Sequence, residues 1–168
     1  EKKNFFFETL FCIEIKKSKL LVELQKNSVK EVKYFSHGKH SVVLDGTYKK
    51  QNCLIKYGKP QHIEKEVFFL NKLKDEIFAP KIYFYEEDFV CREKFDGELI
   101  LDYLETHKKT DIIKTMNKII QICQRLDELK ITKFEMINPY KHIFIDKEKV
   151  FFIDFERSIF SENPKNTR

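Results

Sequence analysis

The sequence Lys149-Val-Phe-Phe-Ile-Asp-Phe-Glu-Arg157 joins a short apolar run to two acidic residues. The four apolar side chains at 150–153 predict a strand that is covered on both faces. Asp154 then stands where this strand leaves the core, and an unpaired carboxylate in such a place costs roughly 2 kcal/mol or more. Two explanations are open at this point. The carboxylate binds a cation, most suitably a hard divalent metal ion, or it caps the loop after the strand.

Length and composition indicate a folded protein without a dominant charged surface. The 168 residues suffice for one domain or for two small lobes around a cleft, and 42% of them are hydrophobic. The net charge of +5 would allow phosphate-bearing partners, but the lysines are spread along the whole chain. Nucleic acid is therefore allowed as a partner without being favoured.

The cysteines and the apolar runs bear on the cellular compartment. Cys12, Cys53, Cys91 and Cys123 lie far apart, and their spacing is not that of a metal site. We expect them to be buried thiols of a reduced compartment. No run approaches the roughly 18 apolar residues of a membrane span, and no signal peptide is visible. The sequence therefore predicts a cytoplasmic protein that does not associate with a membrane.

The first part of the chain is predicted to contain an N-terminal extension and an antiparallel sheet. Residues 1–30 form the extension, in which 5–15 fit either a strand or a helix and 19–26 fit a short helix. Strand patterns then follow at 32–35, 41–44, 53–56, 81–85 and 88–93. Asp45-Gly46 is a strong hairpin signal and is predicted to turn the chain after the second strand.

One helix interrupts these strands and carries an inward-facing acid. Pro60 is suited to a first helical turn, and apolar residues recur at helical spacing to about residue 74. Steps of roughly 100° per residue place Glu66 inside the apolar arc. A buried glutamate needs a cation, and Lys56 is the lysine embedded in the neighbouring apolar strand. The sequence therefore predicts a pair between Lys56 and Glu66.

The second part of the chain is predicted to be helical first and then to form a hairpin. After an exit turn at Phe95-Asp-Gly97, a long amphipathic helix is expected from Asp111 to about residue 130. A polar loop through Pro139 follows, and strands at 142–145 and 150–153 form the hairpin that ends at Asp154. The tail from Ser161 is polar and is expected to fray.

This ordered series resembles the protein-kinase superfamily, and within it the small predicted serine/threonine kinases of archaea and bacteria that are kin of the RIO-type kinases. The resemblance covers about residues 31–158 and rests on the order and spacing of the motifs. It implies an α+β, protein-kinase-like two-lobed fold. The N-lobe, residues 31–96, would be an antiparallel sheet with one helix. Residues 97–168 would be a minimal, mostly helical C-lobe; twelve residues follow Glu156, so this lobe is expected to be minimal or truncated.

The resemblance also implies a nucleotide site. Gly38, Lys39, Ser41 and Val43 stand where the phosphate loop of the family lies, although the loop has a single glycine and also fits an ordinary hairpin turn. Lys56 would contact the phosphates, Glu66 would orient Lys56, and Glu93 to Phe95 would form the hinge that binds adenine. Asp154 would hold the metal ion, with Glu156 in place of the family's glycine.

The catalytic loop departs most from the family pattern. Glu135 takes the place of the catalytic acid, and His142 takes that of the metal-binding asparagine, with two extra residues between them. A glutamate can accept a hydroxyl proton, and an imidazole can bind a metal ion. His142 also fits a core histidine, and Asn138 is the rival ligand.

The function implied by the resemblance is ATP-dependent transfer of a phosphoryl group to a hydroxyl, with Mg²⁺ or Mn²⁺ and with a protein serine or threonine as the first acceptor to test. The acceptor itself stays unidentified. Two alternatives remain open: a small-molecule kinase or ATPase on the same scaffold, and a nucleotide-binding pseudokinase or other binding module without enzymatic activity.

Overall fold

The structure is a computed structural model that describes residues 19–38 and 41–167. The predictions for residues 5–15, Cys12 and Lys39 lie outside these residues. The described chain is a mixed α+β protein with antiparallel sheets. Its α-helices are α1 (Lys19–Lys26), α2 (Pro60–Lys72), α3 (Ile100–Thr106) and α4 (Lys109–Glu128).

A five-stranded antiparallel sheet occupies the first part of the described chain. The strands are β1 (Val29–His37), β2 (Ser41–Tyr48), β3 (Gln51–Gly58), β4 (Ile82–Tyr85) and β5 (Phe89–Glu93). Their order across the sheet is β1-β2-β3-β5-β4, so β5 pairs with β3 and β4 lies at the edge. All five predicted strands are present, and the first three are longer than predicted.

The hairpin turn between β2 and β3 differs from the prediction. Asp45 and Gly46 lie inside β2 and pair with Leu54 and Cys53 of β3. The turn consists of Lys49 and Lys50 instead, both with positive φ (48° and 69°), as a tight two-residue turn requires. Glycine suits position 46 for another reason, because a Cβ there would lie 3.2 Å from the carbonyl oxygen of Lys30 on the neighbouring strand.

The helices α1 and α2 pack against this sheet through their apolar faces. Leu20 and Leu24 of α1 join a buried cluster with Leu44, Ile55 and Phe89. Ile63, Val67 and Leu70 of α2 are buried, and Glu66 is buried among them at 0% exposure. Pro60 begins α2 as predicted, since its ring fixes φ and its missing N–H is not needed in the first turn.

The second part of the described chain contains more strand than predicted. Its strands are β6 (Glu98–Leu99), β7 (Ile131–Lys133), β8 (Ile143–Asp146), β9 (Lys149–Phe152) and β10 (Ser158–Phe160). The long helix is confirmed as α4, and the hairpin is confirmed as β8 and β9, which pair antiparallel. The sequence pattern did not predict α3 or the short strands β6, β7 and β10, of which β6 pairs with β8 and β10 pairs with β7.

A single buried cluster connects these elements with the end of α2. It includes Leu70 and Leu73, Leu126 of α4, and Phe152 and Phe155 on either side of Asp154. Among the described residues, no helix has the length and apolarity needed to cross a membrane. The division into two lobes at residue 96 stays a prediction.

The predicted fraying of the tail is wrong for Asn166, which is only 8% exposed. Its side-chain amide donates to Asp127 Oδ1 and to the carbonyl oxygen of Ile131, both at 2.6 Å. Its Oδ1 accepts the backbone N–H of Lys133 at 2.8 Å. The polar tail is therefore fastened to β7 and α4 by satisfied hydrogen bonds.

Candidate functional site

Lys56 lies at the centre of a buried charge cluster. It stands on β3 opposite Val43 of β2 and Val90 of β5, and its side chain is 7% exposed. The ammonium Nζ donates to Glu66 Oε2 at 2.5 Å and to Asp154 Oδ1 at 2.7 Å. The predicted Lys56–Glu66 pair is thus confirmed, and residues 56 and 154 meet although 98 positions separate them in the chain.

Asp154, two residues after the end of β9, has an unusual backbone conformation. Its φ is 66°, in the left-handed region that aspartate tolerates better than most residues with a Cβ. Backbone strain of this kind is concentrated at functional sites. Oδ1 contacts Lys56, while Oδ2 lies 3.6 Å from Nδ1 of His142. The same carboxylate therefore faces a cation on one side and an imidazole on the other.

The electrostatics of the pair keep both groups charged. Burial alone would lower the pKa of Lys56, but Glu66, Asp154 and Glu156 together raise it well above its usual value. Burial would raise the pKa of Asp154, but the charge and hydrogen bond of Lys56 lower it below its usual range. An ammonium and a carboxylate consequently face each other over the whole neutral range.

Glu156 is a third acid in this cluster. Its Oε2 lies 3.0 Å from Lys56 Nζ, and its side chain is 13% exposed. One carboxylate oxygen each from Glu66, Asp154 and Glu156 can be chosen so that all three lie within 4.8 Å of one another. Carboxylate oxygens are the donors that Mg²⁺ and Mn²⁺ prefer, so the donor set fits such an ion. From the sequence, Glu156 was expected only to replace a glycine, although its position two residues after Asp154 was the available signal.

Glu135, which was predicted to be the catalytic acid, lies in a buried ion pair. Its side chain is 3% exposed, and Oε2 accepts from Lys133 Nζ at 3.1 Å. Lys133 also donates to the carbonyl oxygen of Asp154 and lies 4.7 Å above the ring of Phe155. Burial lowers the pKa of Lys133, while Glu135 acts in the opposite direction. This arrangement makes Glu135 a buried counter-ion for Lys133, and the carboxylate has almost no exposed surface for an acceptor hydroxyl.

His142, which was predicted to bind the metal ion, lies close to Asp154, the other predicted metal ligand. Burial and the nearby Lys133 lower its pKa, so the imidazole is held in its neutral form. A neutral imidazole is the form that binds metal ions. Its Nδ1 is buried and makes no hydrogen bond among the described residues. Asn138, the rival ligand, is exposed at the end of a single turn of 3₁₀-helix.

The predicted phosphate loop is described only in part. The backbone N–H of Gly38 donates to the carbonyl oxygen of Ser41 at 2.8 Å, which closes the hairpin between β1 and β2. Gly38 has no positive φ, and a Cβ there would meet only Ser41 Oγ at 3.4 Å. Backbone conformation therefore does not require glycine at this position.

A small apolar cavity of about 100 Å³ lies beside the charge cluster. Its lining includes Val43 and Phe95, which were predicted to contact the nucleotide, and Ile153, the residue before Asp154. The remaining lining residues are Phe35, Ser36, Leu54, Arg92, Lys94 and Phe144. A wider groove of about 570 Å³ has Glu93 on its lining. The smaller cavity is the better candidate for a nucleobase. Val43 on its lining is paired with Lys56 in the register of β2 and β3, so the cavity lies next to the ammonium that is expected to bind the phosphates.

Comparison with solved structures supports a kinase-like fold. Among 935 matching chains is Rio2 kinase from Chaetomium thermophilum, in a crystal structure of the Rio2 kinase-ADP/Mg²⁺-phosphoaspartate complex. The TM-score is 0.71 at 15% sequence identity, and the match covers 88% of this chain. It covers 54% of the Rio2 chain, so this chain spans about half the length of that structure.

No protein-family model matches the sequence, and no curated protein matches it either. Likeness at this level of identity shows the fold alone. The chain is therefore similar in fold to a protein kinase, and its activity has to be argued from the side chains of the site.

Proposed function

We propose that the protein is an ATP-dependent phosphotransferase, an atypical serine/threonine kinase that transfers the γ-phosphoryl group of ATP to a hydroxyl with Mg²⁺ or Mn²⁺. The observation that carries the proposal is the contact of Lys56 Nζ with both Glu66 and Asp154, at 2.5 and 2.7 Å. An ammonium fixed by a helix glutamate and an acid after a strand is the arrangement that phosphoryl transfer needs.

Each residue would act through charge and position. Lys56 would hold the phosphates, because a buried ammonium is a strong donor to phosphate oxygens. Glu66 would keep that ammonium in place, since its side chain is fully buried and its Oε2 lies 2.5 Å from Lys56 Nζ. Val43, Phe95 and Ile153 would cover the faces of the base and exclude water.

The metal ion would be held by Asp154, with Glu156 or His142 as the further donor. The chemistry that the ion would supply at these residues is positive charge against the negative charge that develops in transfer. Lys56 contacts both Glu66 and Asp154, so phosphates held by Lys56 and a metal ion held by Asp154 would lie next to each other. Glu135 is not given the role of base in this proposal, because its carboxylate is buried and paired with Lys133.

The test is transfer of labelled γ-phosphate from ATP in the presence of Mg²⁺ or Mn²⁺. Wild type is expected to release or transfer label, and Asp154→Asn, which keeps the size of the side chain, is expected to lose at least about 100-fold in rate. Asp75→Asn is the matched control, because Asp75 is exposed. Undiminished transfer in Asp154→Asn would overturn the assignment of the site.

A second function, a nucleotide-binding module without catalysis, is favoured by the burial of Glu135. In that case ATP should raise the melting temperature of the wild type, since a ligand of the folded state stabilises it, while no label is transferred. The destination of the label separates the enzymatic alternatives. Label on protein indicates a protein kinase, label on an added metabolite indicates a small-molecule kinase, and free phosphate alone indicates an ATPase.

A further inference from the structure

A buried guanidinium lies on the wall of the small apolar cavity. Arg92, on β5, is 4% exposed and lines this cavity together with Phe35, Val43 and Phe144. This residue was not among the predicted site residues, although an arginine after the apolar run Phe89-Val-Cys was a visible signal. A buried arginine needs partners for its five N–H donors.

The contacts within the protein do not satisfy these donors. Nε of Arg92 lies 3.6 Å from Glu66 Oε1, which is an electrostatic contact longer than a hydrogen bond. Both Nε and Oε1 are buried atoms without a hydrogen-bond partner among the described residues. Arg92 is therefore a counter-ion of Glu66 that still has hydrogen-bonding capacity to offer.

The two charged side chains on the described lining of the cavity, Arg92 and Lys94, are both hydrogen-bond donors. Nη1 of Arg92 donates to the carbonyl oxygen of Glu93 at 3.4 Å. The backbone N–H of Glu93 donates to the carbonyl oxygen of Lys81 at 2.8 Å. Lys94, also on the lining, pairs with Asp45 at 2.7 Å. Among the described lining residues, Ser36 alone has a side chain that can either donate or accept a hydrogen bond.

Purine bases differ in what they present to such donors. Guanine and hypoxanthine have two adjacent acceptors, O6 and N7, which an arginine fork can bind together. Adenine has an amino donor in place of O6, and that group needs an acceptor. The carbonyl oxygen of Glu93 is the nearby acceptor, and one of its two lone pairs already receives an N–H of Arg92. Adenine would therefore gain a single hydrogen bond there, where a 6-oxopurine gains two from the guanidinium.

We propose that this cavity accepts 6-oxopurines, so that ITP binds at least as tightly as ATP, and that Arg92 is the residue that determines this specificity. The inference rests on the proposed function and refines which nucleotide the site takes. ITP is the decisive probe because its base has an oxo group at position 6 and no amino group at position 2. GTP presents the same O6 and N7 edge.

The experiment is a calorimetric titration of the full chain with ATP and with ITP, each with Mg²⁺. Wild type is expected to bind ITP at least as tightly as ATP. In Arg92→Met the affinity for ITP relative to ATP should fall roughly tenfold, the usual effect of losing one bidentate contact to a base. Arg125→Met is the matched control and should keep the wild-type ratio, because Arg125 is half exposed and pairs with Glu76 and Glu128.

The outcomes separate this inference from the proposed function. Tighter binding of ATP than of ITP by the wild type would overturn the inference alone, and so would an unchanged ratio in Arg92→Met. Absence of binding of either nucleotide to the folded protein would overturn both. If Arg92→Met does not fold, Arg92→Lys replaces it, since lysine keeps the charge beside Glu66 but lacks the fork, and the same fall in the ratio is expected.

Discussion

Replacement of Lys56 by methionine should destabilise the protein by an amount that depends on pH. Methionine fills a similar volume but leaves Glu66, Asp154 and Glu156 facing one another without the ammonium that all three contact. Their side chains are 0%, 29% and 13% exposed, so water screens them little. Removal of one partner of a buried ion pair costs about 3–5 kcal/mol. This is a large part of the 5–15 kcal/mol by which domains are typically stable.

The pH dependence follows from Asp154. In the wild type its folded pKa is lowered, so its contribution to stability is present above the unfolded pKa of about 3.9 and is lost as the pH falls through the folded pKa. In Lys56→Met the ammonium is gone and burial remains, so the folded pKa of Asp154 should rise above the unfolded value. The penalty of the substitution is then full at pH 8 and becomes smaller at pH 5, where the cluster can take up a proton.

Urea denaturation at pH 8 and at pH 5 measures both quantities. Lys74→Met is the matched control, since Lys74 is exposed, and its effect should be within about 0.5 kcal/mol at both pH values. A penalty for Lys56→Met of less than about 1 kcal/mol at pH 8, or a penalty that is equal at the two pH values, would refute the reasoning.

Three further predictions concern stability. Asn166→Ala should cost about 1–3 kcal/mol in urea denaturation, because the backbone N–H of Lys133 loses its acceptor; a neutral effect would contradict the fastened tail. Gly97→Ala should cost at least about 1–3 kcal/mol, because its Cβ would lie 2.5 Å from the carbonyl oxygen of Ile145, and an unchanged melting temperature would refute this close approach. Asp127 accepts hydrogen bonds from residues 166 and 167, and these lower its pKa although burial acts in the opposite direction. Its contribution is thus lost as the pH falls through the folded value, and Asp127→Asn should reduce the acid sensitivity of the melting temperature.

The sequence was sufficient where residue spacing determines burial. The helical period alone placed Glu66 inside α2 and thereby indicated its pairing with Lys56. The apolar run before Asp154 likewise indicated that its carboxylate would need either a cation or a capping role, and in the structure it contacts the ammonium of Lys56. In both cases a charged residue next to apolar neighbours required a partner, and few candidates were available.

The sequence was insufficient where tertiary contacts override local preference. Asp45-Gly46 is a typical turn sequence, but the register of β2 and β3 moved the turn to Lys49-Lys50. The strands β7 and β10 have three residues each, too few for a period to be recognised. Asn166 in the tail interacts with groups distant in the chain, so no local pattern revealed its burial.

The burial of Lys133 has a consequence for how this sequence can diverge. Its ammonium is held by the carboxylate of Glu135 and by the carbonyl oxygen of Asp154, and it is 1% exposed. Exchange of Glu135 alone would leave the buried ammonium of Lys133 without its carboxylate. Exchange of Lys133 alone would leave the buried Glu135 facing the more distant guanidinium of Arg157, 3.8 Å away and 67% exposed, while joint replacement by two apolar residues would leave neither charge behind. Positions 133 and 135 should therefore co-vary among homologous chains, changing together or not at all.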